Sequence, residues 1–287
     1  MITPPGGLGL VAAIPSPPDN AIHVGPLQLR AYGLSIALGV IAAVTIARRR
    51  WAARGGDPVD INAIAVWAVL AGVAGARAYH VLTDLDRFTG RWWHALAVWE
   101  GGLGIPGGLA AGVVAGVVVA RRRGLPAAQL LDVVAPAIPV AQAIGRLGNW
   151  FNQELFGRPT NLPWGLRIDP DHRPAGYGDV ATYHPTFLYE ALWNLALAAL
   201  LIAWERRHPH QQPGRLFALY VAGYALGRLW VEALRIDPAT RLLGVRVNIW
   251  TSLAALTGAA AWLLITRRTS SDNTRPDAPD SPRETKG

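Results

Sequence analysis

The sequence predicts an all-α integral membrane protein that crosses the bilayer about seven times. Three observations carry this reading. Of the 287 residues, 51% are apolar and only 16% charged, against about a quarter charged in a soluble domain. The apolar residues gather into seven runs of roughly spanning length, and in hydrocarbon such runs must be helical to satisfy their own backbone. Arginines cluster after every second run, the pattern that sets membrane orientation.

The seven runs cover residues 31–47, 61–82, 103–120, 127–144, 185–204, 216–234 and 247–266. After the odd-numbered runs come Arg48, Arg49, Arg50 and Arg54, then Arg121 to Arg123, then Arg206, Arg207 and Arg215, then Arg267 and Arg268. The opposite loops mix arginine with Asp84, Asp86, Asp169, Asp171, Asp179 and Asp237. This alternation predicts an amino terminus outside and a carboxyl terminus in the cytoplasm. Residues 1–268 are then a membrane domain, with an outer loop region at 146–184, and residues 269–287 a disordered cytoplasmic tail too poor in apolar surface to fold.

The amino-terminal stretch lacks a basic start, and Pro4, Pro5, Pro15, Pro17 and Pro18 interrupt its weak apolar segment. It reads as lying at the membrane surface rather than as a cleavable signal peptide. Gly108, Gly112 and Gly116 recur every fourth residue on the third run and predict a face that another helix approaches closely. Tryptophans near the run ends, Trp92, Trp93, Trp99, Trp150, Trp164, Trp204 and Trp250, fit an interfacial belt.

The net charge of +8 does not mark a nucleic-acid binder, because the arginines sit at the ends of apolar runs. With no cysteine, disulfides, thiolate metal sites and a cysteine nucleophile are excluded. No metal or soluble cofactor is expected.

Ionisable residues at membrane depth carry the functional signal, since each costs about 2.5–3.5 kcal/mol at a helix centre. The sixth run carries Tyr224, Arg228, Glu232 and Arg235, which at helical spacing form a single polar stripe. An i, i+4 Arg228–Glu232 pair that only fixes helix packing is the alternative reading. Arg77 in the second run, Tyr32 at the start of the first, and His184 and Glu190 at the start of the fifth suggest a polar cavity open toward the outer leaflet. Arginines there suit a lipid phosphate, because guanidinium offers forked donors to phosphate oxygens. The densest polar segment follows the fourth run, Gly145-Arg146-Leu147-Gly148-Asn149-Trp150-Phe151-Asn152-Gln153-Glu154-Leu155-Phe156-Gly157-Arg158. It reads as a loop, its glycines giving freedom to turn and to approach a ligand.

This segment resembles the signature of the bacterial prolipoprotein diacylglyceryl transferases, Gly-Arg-x-Gly-Asn-Phe-x-Asn-x-Glu-x-x-Gly, with Trp150 in place of the phenylalanine. The resemblance extends to Arg30-Ala31-Tyr32-Gly33, to Glu100-Gly101-Gly102, to His184-Pro185-Thr186-Phe187-Leu188-Tyr189-Glu190 and to the stretch from Tyr224 to Arg235. It implies an enzyme of the bacterial plasma membrane whose partners are phosphatidylglycerol and prolipoprotein signal peptides. Such an enzyme moves the diacylglyceryl group to a cysteine thiol of the signal peptide, forming a thioether and releasing glycerol phosphate.

By carry-over, Arg146 and Asn149 bind the head group, Glu154 and Gly157 shape the loop, and Tyr32, Arg228 and Glu232 line the pocket. Tyr224, His184 and Glu190 join the substrate-binding set, and Arg146, Arg228, Tyr32 and Glu154 the catalytic one. One position departs from the pattern. Many family members place a histidine, a candidate base, where this chain has Pro106. That leaves His184 or Glu154 as the base, or no dedicated base with arginines favouring the thiolate.

A lipid-binding protein or small-anion transporter would also line a cavity with charge, but no internal repeat is visible and the polar residues gather toward one membrane face. A retinal protein needs a lysine inside the bundle, and the only lysine is Lys286. An intramembrane serine protease needs a serine in a glycine-rich setting, which neither Ser35 nor Ser252 has.

Overall fold

The computed structural model describes residues 13–24, 27–98, 102 and 104–272, and among these the chain is mainly helical. A short antiparallel hairpin, β1 (Ala21–Val24) and β2 (Leu27–Arg30), leads directly into α1 (Ala31–Ala52). Then come α2 (Pro58–Thr83), α3 (Ile105–Arg122), α4 (Ala127–Val134), α5 (Ala137–Phe151), α6 (Thr186–Arg207), α7 (Arg215–Leu234) and α8 (Val247–Asp272). Each expected run holds one helix except the fourth, which is split in two. Four of the helices, α1, α2, α6 and the 247–266 part of α8, are long and apolar enough to cross a membrane, and the bent pair α4–α5 is a fifth candidate. α7 carries Arg228 and Glu232 within its length, and α3 closes on Arg121 and Arg122. Neither is among the candidates.

The break in the fourth run has a local cause. Pro136 has no N–H to return to Asp132 one turn earlier, and α4 and α5 meet there at a bend of 42°. The carbonyls at the break are satisfied by Arg50, whose Nε donates to Val133 O at 2.9 Å and whose Nη2 donates to Asp132 O at 3.1 Å. Arg50 is itself paired with Glu205 at 2.8 Å. The Asp132 carboxylate accepts hydrogen bonds from Gly214 N at 2.8 Å and Phe217 N at 2.9 Å, which caps the start of α7.

Small residues set the helix contacts, as close packing in a bilayer requires. The Gly108–Gly112–Gly116 face lies against α2. A Cβ at Gly112 would sit 3.0 Å from Ala68 O, and one at Gly108 would sit 3.1 Å from Gly72 O. Likewise a Cβ at Gly39 on α1 would meet Ala141 O of α5 at 2.9 Å.

The first half of the polar signature is not a loop. Residues 145–151 complete α5, because nothing in Gly145 to Phe151 breaks the helix that Ala137 begins. The turn comes later, at Gln153 (φ 50°) and Leu155 (φ 58°), neither of which is glycine. Beyond it, residues 156–183 form a packed cap rather than an open excursion. Phe156, Leu166, Ile168, Tyr183 and Phe187 bury one another, and β3 (Leu166–Arg167) pairs with β4 (Thr182–Tyr183). Gln153 fastens the turn to this cap, accepting from Asp169 N at 2.9 Å and donating to Asp169 Oδ2 at 2.6 Å.

Candidate functional site

The site is assembled where α5 ends, α6 begins and α7 ends. Arg146 projects from the last turns of α5, Glu190 from the second turn of α6, and Arg228 and Glu232 from successive turns of α7. Glu190 sits between two guanidiniums, Arg146 Nη2 at 2.5 Å from its Oε2 and Arg228 Nη1 at 3.3 Å from its Oε1. Arg228 also reaches Glu232 Oε2 at 2.8 Å, an ion pair whose geometry falls short of a hydrogen bond. Glu232 is fully buried and is met on its other oxygen by Arg246 Nε at 2.5 Å and Asn248 Nδ2 at 3.1 Å. The series closes on Asp237, which takes Arg235 Nε at 2.7 Å and Arg246 Nη2 at 3.1 Å.

Four arginines and three carboxylates therefore alternate through contact. Burying one charge alone would be prohibitive, and alternation is what makes burial of the set tolerable. The contacting series alone carries one positive charge in excess, before Glu154, joined to Arg146 through Asn149, is counted. Burial alone would raise the Asp237 carboxyl, but the Arg235 hydrogen bonds and the Arg246 charge outweigh it and hold it below the ordinary range.

The signature's second half braces this series. Arg146 Nη1 donates to Asn149 Oδ1 at 3.1 Å, Asn149 Nδ2 donates to Glu154 Oε1 at 2.9 Å, and Asn152 Nδ2 donates to the same oxygen at 3.2 Å. Glu154 thus folds the turn back onto the helix end and orients Asn149, which orients Arg146. Tyr32 on α1 packs on this helix end, because a Cβ at Gly148 would lie 2.6 Å from Tyr32 Cδ2. Only glycine there admits the ring.

Gly157 is required for a similar reason. Its N–H donates to His184 O at 2.9 Å, and a Cβ would lie 2.8 Å from His184 Cβ and 3.2 Å from Leu234 O. The next residue, Arg158, donates its N–H to Leu234 O at 2.9 Å. The cap is thereby stitched to the starts and ends of the site helices. His184 Nδ1 lies 3.1 Å from the Tyr189 hydroxyl, and burial lowers its proton affinity, favouring the neutral ring at neutral pH.

A small pocket opens beside Glu190 and Arg228, lined also by Trp193, Asn194, Tyr224, Gly227 and Val231. Tyr224 is thus at the site, as its position on the polar stripe requires.

The family profile described as prolipoprotein diacylglyceryl transferase matches residues 19–265. The chain is 55% identical over 260 residues, 90% of its length and 68% of the relative's, to phosphatidylglycerol–prolipoprotein diacylglyceryl transferase of Frankia alni. It is 53% identical to phosphatidylglycerol–prolipoprotein diacylglyceryl transferase 2 of Streptomyces coelicolor, over 89% of this chain and 81% of that one. For the transferase of Cutibacterium acnes the figures are 49%, 89% and 87%. The chain belongs to the prolipoprotein diacylglyceryl transferase family.

Against that family's pattern, the structure gathers Tyr32, Arg146, Asn149, Glu154, Gly157, His184, Glu190, Tyr224, Arg228 and Glu232 around one end of α5, α6 and α7. Arg77 is used differently from the sequence-based expectation. It is buried, and it donates to the carbonyls of Ala95, at 2.9 Å, of Gly102, at 3.2 Å, and of His94. Those bonds tie α2 to the stretch leading into α3. Glu100, Gly101 and Leu103 of that stretch lie outside the described residues, as do residues 1–12 and 273–287. Pro106 stands in the first turn of α3, where a missing N–H costs nothing.

Sequence reasoning missed Arg246, Asn248 and Asn194. Arg246 and Asn248 flank the first residue of the last run, a placement that resembles interfacial snorkelling. Asn194 lies one turn beyond Glu190 and was the available signal of a polar face on α6. Among the described residues, no cluster of three or more His, Asp or Glu side chains is placed to hold a metal ion.

Proposed function

We propose that this chain transfers the diacylglyceryl group of phosphatidylglycerol to the cysteine thiol of prolipoprotein signal peptides, as a phosphatidylglycerol–prolipoprotein diacylglyceryl transferase. A thioether forms and glycerol phosphate leaves, the first step of lipoprotein maturation. The observation that carries the site assignment is the convergence of Arg146 and Arg228 on one carboxylate, 2.5 Å and 3.3 Å from Glu190. Two guanidiniums that converge on a carboxylate also converge on a phosphate, and both can stabilise the charge that grows on the departing group.

In this reading Arg146 and Asn149 bind the head group, with Glu154 and Gly157 holding their turn. Tyr32, Tyr224, His184, Glu190 and Glu232 complete the pocket, and Arg146, Arg228, Tyr32 and Glu154 act in the catalytic step. The chain crosses a bacterial plasma membrane seven times, with α4 and α5 as one broken crossing, the amino terminus outside and the tail from 269 in the cytoplasm. Supporting this orientation, Arg50 and Arg54 at the end of α1 meet Glu205 at the end of α6, and Arg123 after α3 meets Asp60 at the start of α2. The arginine-rich ends thus share one side, opposite the signature.

The test is direct. Purified protein in phosphatidylglycerol vesicles is given a signal peptide with its target cysteine, and the peptide's mass is followed. A diacylglyceryl adduct on that cysteine is the expected result. Folded protein that binds lipid but yields no adduct would overturn the reading and favour a lipid-binding or transport role.

A further inference from the structure

A thiol must lose a proton before it can attack carbon, and Pro106 cannot take one. Resting on the transferase reading above, we propose that Glu190 accepts this proton, and that the substrate's own phosphate frees it to do so by drawing off its two arginines.

The other carboxylate near the signature is committed elsewhere. Glu154 Oε1 accepts from both Asn149 and Asn152 and so holds the turn together. The neutral His184 ring is engaged by Tyr189 at 3.1 Å. Glu190 is engaged too, but by groups that an incoming phosphate would draw away. It borders the pocket, and its described partners are the guanidiniums of Arg146 and Arg228, the groups a phosphate seeks. A phosphodiester entering between those arginines competes with Glu190 for the same forked donors. The displaced side chain, in a residue only 6% exposed, would then be a buried anion without its counter-charges. Such a state is costly unless the group is neutralised, and the thiol proton neutralises it.

A second feature of the pocket points to a donor-bearing ligand. Asn194, 2% exposed and one helical turn beyond Glu190, lines the same pocket, and its buried Oδ1 has no hydrogen-bond partner among the described residues. An unpaired buried acceptor is costly to leave unmet. A thiol S–H or a peptide N–H arriving there would satisfy it and hold the thiol beside Glu190.

The step balances. The S–H proton passes to a Glu190 oxygen, and the thiolate sulfur attacks the methylene carbon that bears the phosphate ester. The S–C bond forms as the C–O bond breaks. The electron pair leaves on the phosphate oxygen as glycerol phosphate, its added charge facing Arg146 and Arg228. The proton on Glu190 then moves to the departing phosphate, and the carboxylate returns to its place between the guanidiniums.

The test compares a signal peptide carrying cysteine with one carrying selenocysteine, using the full chain in phosphatidylglycerol vesicles. A selenol is ionised near neutral pH and needs no base. Loss of a positioned base costs about 10²–10⁴-fold in rate, so Glu190→Gln should slow the cysteine peptide by at least about 100-fold. The selenocysteine peptide should stay within about tenfold of wild type, with lipid affinity retained or tightened. Glu190→Asp keeps the carboxylate, and with it partial activity. It should still raise the selenium-to-sulfur rate ratio, so this ratio carries the test if Glu190→Gln fails to fold. A ratio equal to wild type in either folded variant would overturn the role of Glu190 alone. Wild-type protein that modifies neither peptide would overturn that role and the transferase reading together.

Discussion

Arg246, the residue immediately before α8, places its Nε 2.5 Å from Oε1 of Glu232 on α7. The contact joins the last helix to the polar stripe, and Arg246 reaches on to Asp237 at 3.1 Å. Removing one partner of a buried ion pair strands the other, at about 3–5 kcal/mol. Arg246→Gln should therefore lower thermal stability measurably and reduce transfer by misplacing Glu232 and, through it, Arg228. Unfolding followed in detergent, beside adduct formation, checks both; unchanged stability would mean that Glu232 is satisfied without Arg246.

Two glycines that look alike in the sequence should behave differently. An added Cβ at Gly157 meets His184 Cβ at 2.8 Å and Leu234 O at 3.2 Å, whereas at Gly33 nothing lies within 4 Å. Gly157→Ala should cost about 1–3 kcal/mol by overpacking and impair transfer by lifting the cap from α6 and α7. Gly33→Ala, within α1, should be neutral or stabilising by up to about 1 kcal/mol. Melting curves of the two variants, run together, decide the matter.

Stability should depend on pH through Asp237. Asp237 is held below the ordinary carboxylate range by Arg235 and Arg246. A depressed carboxylate contributes stability that is present above its unfolded value, about 3.9, and is lost as pH falls through the folded value. The Arg235–Asp237–Arg246 bracket should therefore add stability at pH 5–7 and lose it only in stronger acid. Asp237→Asn should flatten that acid limb of the stability curve, as measured by unfolding across pH.

On the third helix, Gly112 lies with its Cβ position 3.0 Å from Ala68 O. Gly112→Leu should force α2 and α3 apart and reduce folded yield in membranes, with a loss of about 1–3 kcal/mol or more. Leucine is more apolar than glycine, so a rise in folded yield would show that hydropathy and not close approach governs this face.

Much of this was legible in the sequence, for identifiable reasons. Charges at membrane depth are costly, so Arg228, Glu232 and Glu190 stood out against their apolar neighbours, and the structure joins all three in one series. The glycine period on α3 likewise announced a close helix contact, which the structure places against α2. What could not be read were features set by distant partners. The fourth run reads as one continuous span, and neither its break at Pro136 nor Arg50, more than eighty residues earlier in the chain, which satisfies the freed carbonyls, could be read from it. The signature's polarity suggested a loop, yet residues 145–151 are helical, and Gly148 serves contact with Tyr32 rather than turning. Arg246 could not be singled out, since its partners are Glu232 on α7 and Asp237 in the segment after it.

The proposal that Arg146 and Arg228 act together on the lipid phosphate rests on their shared contact with Glu190. It is tested most directly by adduct formation and phosphatidylglycerol affinity in Arg146→Ala and Arg228→Ala, with Arg123→Ala as a control. Arg123 forms an exposed pair with Asp60 at 2.8 Å, far in sequence from the signature, and such pairs contribute at most about 1 kcal/mol. Each site variant should lose at least about 100-fold in transfer rate, as removal of one transition-state donor does, while Arg123→Ala keeps wild-type turnover. Folded Arg146→Ala or Arg228→Ala protein that transferred at the wild-type rate would contradict it.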